Sequence, residues 1–335
     1  MSNNKNNNKN NSKSMPFAFL LREEQTPTKG LFLYEWAMLI YLMVTLVMLL
    51  FCYTDLVNPG EMIYGRIRVV LLTAIAWGVY RLWPCRLTVG LRIAVQAALL
   101  AWWYADTYEL NRILPNLDHV FAAAEQSLFG CQPSLLFSQA CPWQWFSEAL
   151  YCGYYSYFYL IVATALLYFV WRYEEMHKVA TIILGAFFIY YIFFDFCPVV
   201  GPQYYYQAIG LDNVMNGNFP DMGFYFKTHN DLFPAPGDDT GFFRQFVESG
   251  AVRDGERPTA AFPSSHVGLS TVVGCLLTRL CWRRRTWWPL CIFTPLYLCL
   301  CFATVYIHAH YAIDAIAGLV SGLLIFGIMW KTVKV

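Results

Sequence analysis

The sequence predicts an all-α fold, a polytopic membrane helix bundle of about eight transmembrane helices. Two observations carry this reading. Apolar residues make up 58% of the 335 residues against 13% charged ones, and they fall in blocks of about twenty, not in the short alternations of a soluble core. Such blocks are too long for barrel strands, and a backbone in lipid must satisfy its own hydrogen bonds, so each block is expected to be a helix. The spans are expected at 32–54, 67–84, 88–107, 146–171, 176–198, 264–281, 286–307 and 309–330.

A third observation, charge placement, sets the orientation. Lys5, Lys9, Lys13, Arg22 and Lys29 precede the first span, Arg81 and Arg86 separate the second from the third, and Arg172 and Lys178 separate the fourth from the fifth. Arg279, Arg283, Arg284 and Arg285 lie between the sixth and seventh, and Lys331 and Lys334 follow the last. With eight spans all of these groups share one side, which the positive-inside rule makes the cytoplasm. Both termini are then cytoplasmic, while segments 108–145, 199–263 and the turn before the last span face the outer compartment, periplasmic, extracellular or lumenal. The net charge of +1 averages over two faces, and no nucleic-acid partner is expected from it.

Residues 1–30 open rich in Asn, Lys and Ser, contain nothing that builds a core, and are expected to form a disordered cytoplasmic tail. No cleavable signal is visible, because the first apolar block begins after about thirty residues and is too long for an h-region. Of the eleven cysteines, Cys131 and Cys141 share the outward segment 108–145. An oxidising compartment would let them pair, although two small apolar residues in a packed loop need no bond. Leu114, Leu117, Phe121 and Leu128, set among polar residues, suit a helix lying in the outer interface or a lid over a substrate entrance. Segment 199–263 is the longest polar stretch, punctuated by Gly201, Pro202, Gly210, Pro220, Pro234, Pro236 and Gly237. A loop of that length is functional or disordered, and this one leads directly to His266.

Two helix mouths carry the chemistry. Pro263-Ser264-Ser265-His266 opens the sixth span, with Ser264 or Ser265 as N-cap and His266 in the first turn. The amides of such an N-terminus receive an anion, which would place a phosphate beside the histidine. His310-Tyr311-Ala312-Ile313-Asp314 opens the eighth span, and the spacing predicts His310 and Asp314 on one helical face. Asp314 would accept the proton-bearing nitrogen of His310, leaving the other nitrogen pointed at phosphorus. Two histidines flanking a phosphate divide the labour: one attacks, the other protonates the departing oxygen. Taken singly, a histidine at a helix end is usually an interfacial polar residue, and a membrane aspartate a packed acceptor. Ionisable groups at a membrane edge are nevertheless functional by default, and here two clusters fall on the same side.

Ala261 to His266, and the run YIHAHYAID from Tyr306 to Asp314, resemble the second and third signature motifs of the type 2 phosphatidic acid phosphatase superfamily. The resemblance implies that His310 is a nucleophile forming a phosphohistidine, that Asp314 is its partner, and that His266 acts on the leaving group. It also implies a catalytic six-helix membrane domain over 88–335, with two additional N-terminal transmembrane helices in 31–87. Two departures matter. Ala303 and Thr304 stand where the phosphatases carry a Ser-Arg pair, and the fifth span runs out as Asp195-Phe196-Cys197-Pro198-Val199-Val200-Gly201-Pro202-Gln203, without the basic residues of a first motif. In this combination the chain is similar to the inositol phosphorylceramide synthase branch, whose members transfer a phosphorylated headgroup between lipids.

The missing cations pose an electrostatic problem, because a phosphate in a partly dry site needs compensation. Arg257 and Arg253 are the expected substitutes, followed by Arg244, Lys227 and His308, with Ser264 and Ser265 contributing the helix end. Asp195 is a candidate for hydrogen-bonding a polyol headgroup, or equally for pairing with a neighbouring tyrosine. A diester carries less charge than a monoester, so a cation-poor site tilts toward diester transfer, and the resemblance implies membrane phospholipid or sphingolipid substrates. Hydrolysis of a lipid phosphomonoester such as phosphatidate is the alternative, since the same phosphohistidine can pass its group to water. A non-catalytic lipid transporter or scaffold is a third reading. No metal or cofactor is required where side chains and helix ends supply the nucleophile and the electrostatics, and oligomeric state is left open.

Overall fold

The computed structural model describes residues 16–237, 239–248 and 257–334, and among these the secondary structure is helical with no strand. After a short helix α1 (Pro16–Leu20), the chain forms α2 (Leu33–Phe51), α3 (Pro59–Leu82) and α4 (Arg86–Asn111). Next come α5 (Asp118–Phe129), α6 (Pro133–Ala140), α7 (Gln144–Tyr155), α8 (Tyr157–Trp171) and α9 (Met176–Phe196). The outer loop carries α10 (Pro202–Ile209), α11 (Leu211–Met215) and α12 (Phe242–Glu248), and the chain closes with α13 (Ser265–Arg284), α14 (Trp288–Tyr306) and α15 (Ala312–Thr332).

Each of the eight expected blocks is helical. The helices α2, α3, α4, α9, α14 and α15 are long and apolar enough to cross a membrane, and α7 with α8, bent by 48° at Ser156, makes a seventh if the pair is one span. The block at 264–281 is α13, whose composition is less apolar because it faces protein. Gly268, Ser270, Thr271, Val272 and Val273 are all buried in the bundle, where close helix packing replaces contact with lipid. Two helices run longer than their expected spans. Helix α3 begins at Pro59 and α4 runs on to Asn111, and the buried charges that they carry are paired inside the bundle. Arg66 makes a bidentate bond to Asp106 at 2.9 and 2.7 Å, and Arg92 Nε donates to Glu35 at 2.8 Å.

The tail expected to be disordered differs from Pro16 onward, while residues 1–15 lie outside the described residues. Phe19 packs on Phe169 and lies beneath the Arg86 guanidinium, Tyr173 donates to the Glu24 carboxylate, and Trp77 donates to the Lys29 carbonyl. Ring, cation–π and hydrogen-bond contacts to α3, α4, α8 and the turn after α8 thus anchor a segment whose composition alone promised nothing.

Helix α9 runs through the middle of the bundle, touching α2, α4 and α13. The crossing of α13 and α15 positions the site. A side chain at Gly322 would lie 2.5 Å from the Gly268 carbonyl oxygen, and one at Gly318 would lie 2.4 Å from that of Ser264. The two backbones therefore approach closely only because these positions carry hydrogen. One end of the bundle is capped by α5, α6, α10 and the outer loop, which bury Ala122, Leu135, Val199, Tyr204, Tyr205, Tyr206 and Tyr311 together. Segment 111–130 is accordingly packed into this cap through α5, with Leu128 left exposed. Cys131 and Cys141 are both free, separated by α6.

Candidate active site

The two helix mouths meet beneath the cap. Ser264 is the N-cap of α13, its hydroxyl accepting the Val267 N–H at 3.4 Å, so Ser265 and His266 occupy the first turn. Its own N–H donates to the Asp314 carbonyl at 3.1 Å, which ties the start of α13 to the start of α15. The His266 and His310 rings lie 5.9 Å apart, centroid to centroid, inclined by 62°.

His310 departs from the expected geometry. Helix α15 begins at Ala312 with Tyr311 as N-cap, so His310 precedes the helix and does not share a helical face with Asp314. Its Nδ1 lies 3.7 Å from the Asp314 carboxylate, beyond hydrogen-bond length, but 2.8 Å from the Ala261 carbonyl oxygen. A carbonyl only accepts, so this contact assigns the proton to Nδ1 and leaves the lone pair on Nε2. The expected tautomer is thus set by a backbone oxygen. Asp314 instead accepts the Tyr311 N–H at 2.9 Å, and its second oxygen is buried without a partner among the described residues.

Two further carboxylates, not singled out by sequence, hold the mouth together. Asp118 at the start of α5 accepts the N–H groups of Val200 at 2.7 Å and Gly201 at 2.9 Å, and the Tyr311 hydroxyl at 3.0 Å. It thereby fastens the exit of α9 to the entry of α15. Glu125 accepts the Ala312 N–H at the N-terminus of α15, while its other oxygen is buried without a hydrogen-bond partner among the described residues. Burial, opposed by the Ala312 N–H and reinforced by the nearby Asp314 charge, raises the Glu125 carboxyl to about 8. Burial likewise raises Asp118 against the pull of its hydrogen bonds. His310 is pushed down to about 4 by burial, with the Ala261 carbonyl working against the shift, and His308 to about 4 by burial. Both imidazoles are therefore neutral near pH 7, and Glu125 retains most of its proton.

The remaining predicted residues scatter. His308, in the left-handed region at φ 65°, has Nε2 3.3 Å from the Ser138 hydroxyl and its ring against Phe233, which places it in the cap beside the pair. Asp195 accepts the Tyr41 hydroxyl at 3.0 Å, the structural pairing that the sequence left open, and lies between α9 and α2. Arg244 is buried in ion pairs with Asp239 at 2.7 Å and Glu248 at 3.0 Å, bracing α12. Lys227 and Pro258 line a small crevice with Asn111 and Arg112. Arg257 is exposed, and Arg253 lies outside the described residues. Ala303 and Thr304 are buried, the Thr304 carbonyl accepting the His310 N–H at 2.9 Å.

Sequence reading missed Asp118, Glu125, the Ala261 carbonyl, and the Tyr154 and Tyr157 rings that touch His266 at 4.8 and 4.4 Å. Only Asp118 carried a local signal, an acidic residue at a helix start. The arrangement presents a neutral imidazole with a free Nε2 lone pair, a second imidazole within one phosphate's width, and a helix N-terminus whose first amides lack intrahelical partners. Nucleophilic attack on a bound anion with proton delivery from the opposite side is within its reach.

A sequence model of the PAP2 superfamily matches residues 119–328, a stretch that takes in Glu125, both histidines and Asp314. The comparisons with curated proteins and with solved structures return no match.

Proposed function

We propose, from the premise that the chain belongs to the PAP2 superfamily, that it is an integral membrane lipid phosphotransferase, similar to inositol phosphorylceramide synthases, working through a phosphohistidine. Members of the superfamily are generally phosphatases or phosphotransferases. The observation that carries the finer reading is the facing pair of imidazoles: His310, its Nδ1 proton engaged by Ala261 at 2.8 Å, faces His266 with no guanidinium bonded to either ring among the described residues.

In this reading Nε2 of His310 attacks phosphorus while the bond to the leaving oxygen breaks, and His266, entering as the imidazolium, gives its extra proton to that oxygen and becomes neutral. The acceptor hydroxyl then loses its proton to His266 and attacks phosphorus, and the P–N bond to His310 breaks, restoring both imidazoles. Amides at the start of α13 hold the phosphoryl oxygens. A single negative charge suits this set of donors better than two, which favours a diester donor and a lipid alcohol as acceptor. The active mouth faces the outer compartment, since α13 runs from His266 to Arg283 and Arg284, and α9 from Lys178 to Asp195, with the basic ends cytoplasmic.

The test is turnover of a headgroup-labelled phospholipid by the purified protein, with and without a sphingolipid acceptor. A labelled new lipid that requires the acceptor supports transfer, and label released as free phosphate from a lipid phosphomonoester marks a phosphatase. No turnover under either condition sinks both. For the orientation, a cysteine replacing exposed Asn218 should label from outside in intact membranes, and one replacing Arg284 only after the cytoplasmic side is opened.

A further inference from the structure

Among the described residues, no carboxylate is bonded to His266. The groups facing its ring are His310 from the turn before α15, Tyr154 from the end of α7 and Tyr157 from the start of α8. On the far side of α13, the Tyr190 hydroxyl of α9 abuts Gly268. The His266 Nδ1 is enclosed without a hydrogen-bond partner among the described residues. A proton donor must nonetheless carry the proton before it gives it away, and a cation in a partly enclosed pocket needs negative potential close by.

The bend between α7 and α8 supplies it. In a straight helix residues 154 and 157 would line up along one face of a single span. Here the axis turns by 48° at Ser156, whose hydroxyl donates to the Gly153 carbonyl at 2.6 Å. Gly153 packs so tightly on α14 that a Cβ would lie 2.6 Å from the Leu300 nitrogen, which fixes the bend in place. The result is that Tyr154 stacks on the imidazole at 4.8 Å and 18°, while Tyr157 lies against it at 4.4 Å and 40°. Both tyrosines are buried, and Tyr157 is also hydrogen-bonded to Ser265. Ring faces carry negative quadrupole potential and attract a cation within about 6 Å, most strongly where water is excluded.

We propose that Tyr154 and Tyr157 are positioning residues that clamp His266 and stabilise its imidazolium form, so that it can deliver a proton to the leaving oxygen without a carboxylate partner. The inference rests on the phosphotransfer reading for its catalytic consequence. In the step it serves, the P–O bond to the leaving group breaks with its electron pair going to oxygen, the His266 N–H proton moves to that oxygen, and the imidazolium becomes neutral.

Two measurements test it together. Tyr154→Leu and Tyr157→Leu should each slow transfer from an ordinary lipid donor by about ten- to thirtyfold. The same variants should lose far less with a donor whose leaving group has a low pKa and needs no proton. Tyr154→Phe, which keeps the ring face, should rescue most of the loss. Independently of activity, NMR of histidine-labelled protein in detergent, with the His266 signal identified by its disappearance in His266→Gln, should show His266 titrating at lower pH in both Leu variants. Equal losses on both donors with an unmoved titration would overturn the clamp. A wild type inert toward both donors, with the titration still shifted in the Leu variants, would instead sink the phosphotransfer reading and leave the clamp standing.

Discussion

Buried charge is handled in opposite ways by the N-terminal helices and by the mouth of α13 and α15. Among α2, α3 and α4 every buried carboxylate that meets a cation is closed off by it. Asp106 takes both arms of Arg66, Glu35 takes Arg92, and Phe32, Tyr80 and Trp103 shield the guanidinium groups. At the mouth Asp118, Glu125 and Asp314 are held, among the described residues, by neutral N–H and O–H donors, and Glu125 and Asp314 each keep an oxygen without a partner there. The first region uses ion pairs as fasteners that fix helix register. The second leaves carboxylate oxygens without a partner among the described residues, a cost that a visiting hydrogen-bond donor would offset. Protonated Glu125 also lowers the negative charge that an incoming phosphate meets.

The sharpest way to break this comparison is His310→Asn, which should abolish lipid turnover while leaving the thermal unfolding in detergent nearly unchanged. Persistent turnover would move the nucleophile elsewhere. His266→Ala should cost about 10²–10⁴ in rate with an ordinary donor, measured in the same assay.

On the fastening side, Arg66→Met leaves Asp106 buried and unpaired and should destabilise the protein by about 3–5 kcal/mol, read as a lowered unfolding temperature. Adding Asp106→Leu should restore much of that stability. If the single variant were neutral, the pair would not be a fastener.

A smaller effect concerns pH. His308 and His310, depressed in the folded state to about 4, make stability rise with pH up to the unfolded histidine value near 6.5. Glu125, raised to about 8, acts in the opposite sense: the folded form holds the proton that the unfolded chain gives up near 4.3. Between about pH 6.5 and pH 8 only the second effect remains of these three, so the unfolding temperature should fall across that window. Glu125→Gln should flatten it, and an unchanged slope would remove Glu125 as the cause.

The smallest change is expected at Arg257. Its exposed side chain interacts across solvent, where charges are screened, so Arg257→Gln should lower turnover less than about threefold. A tenfold loss would mean that substrate draws this arginine over the mouth and makes it the missing clamp.

The sequence exposed what is written locally. Apolar blocks announced the spans, and the histidines announced themselves through their flanking Pro263-Ser264-Ser265 and Asp314. It concealed whatever depends on distant partners. Arg66 stayed outside its expected span because its partner Asp106 lies 40 residues away, and nothing local marked Arg92 as paired, since Glu35 lies 57 residues away. The orienting acceptor of His310 was assigned to Asp314, the nearest carboxylate in sequence, when it is a backbone oxygen 49 residues upstream. No side-chain pattern marks a carbonyl. Asp118 reaches Tyr311 across 193 residues, and the tyrosines at the α7–α8 bend looked like two more aromatics in an apolar span.

The glycine crossing of α13 and α15 makes the spacing of the two imidazoles a property of backbone thickness. One histidine sits in the first turn of α13 and the other in the turn that leads into α15, and these struts touch at Gly268 with Gly322 and at Ser264 with Gly318. A methyl group at Gly318 would act as a wedge driven under the mouth, altering no reacting atom yet widening the gap a phosphoryl group must bridge between one nitrogen and the other. Because an error of about 1 Å in such a relay can cost on the order of a hundredfold in rate, the chemistry depends as much on two absent side chains as on the imidazoles they align.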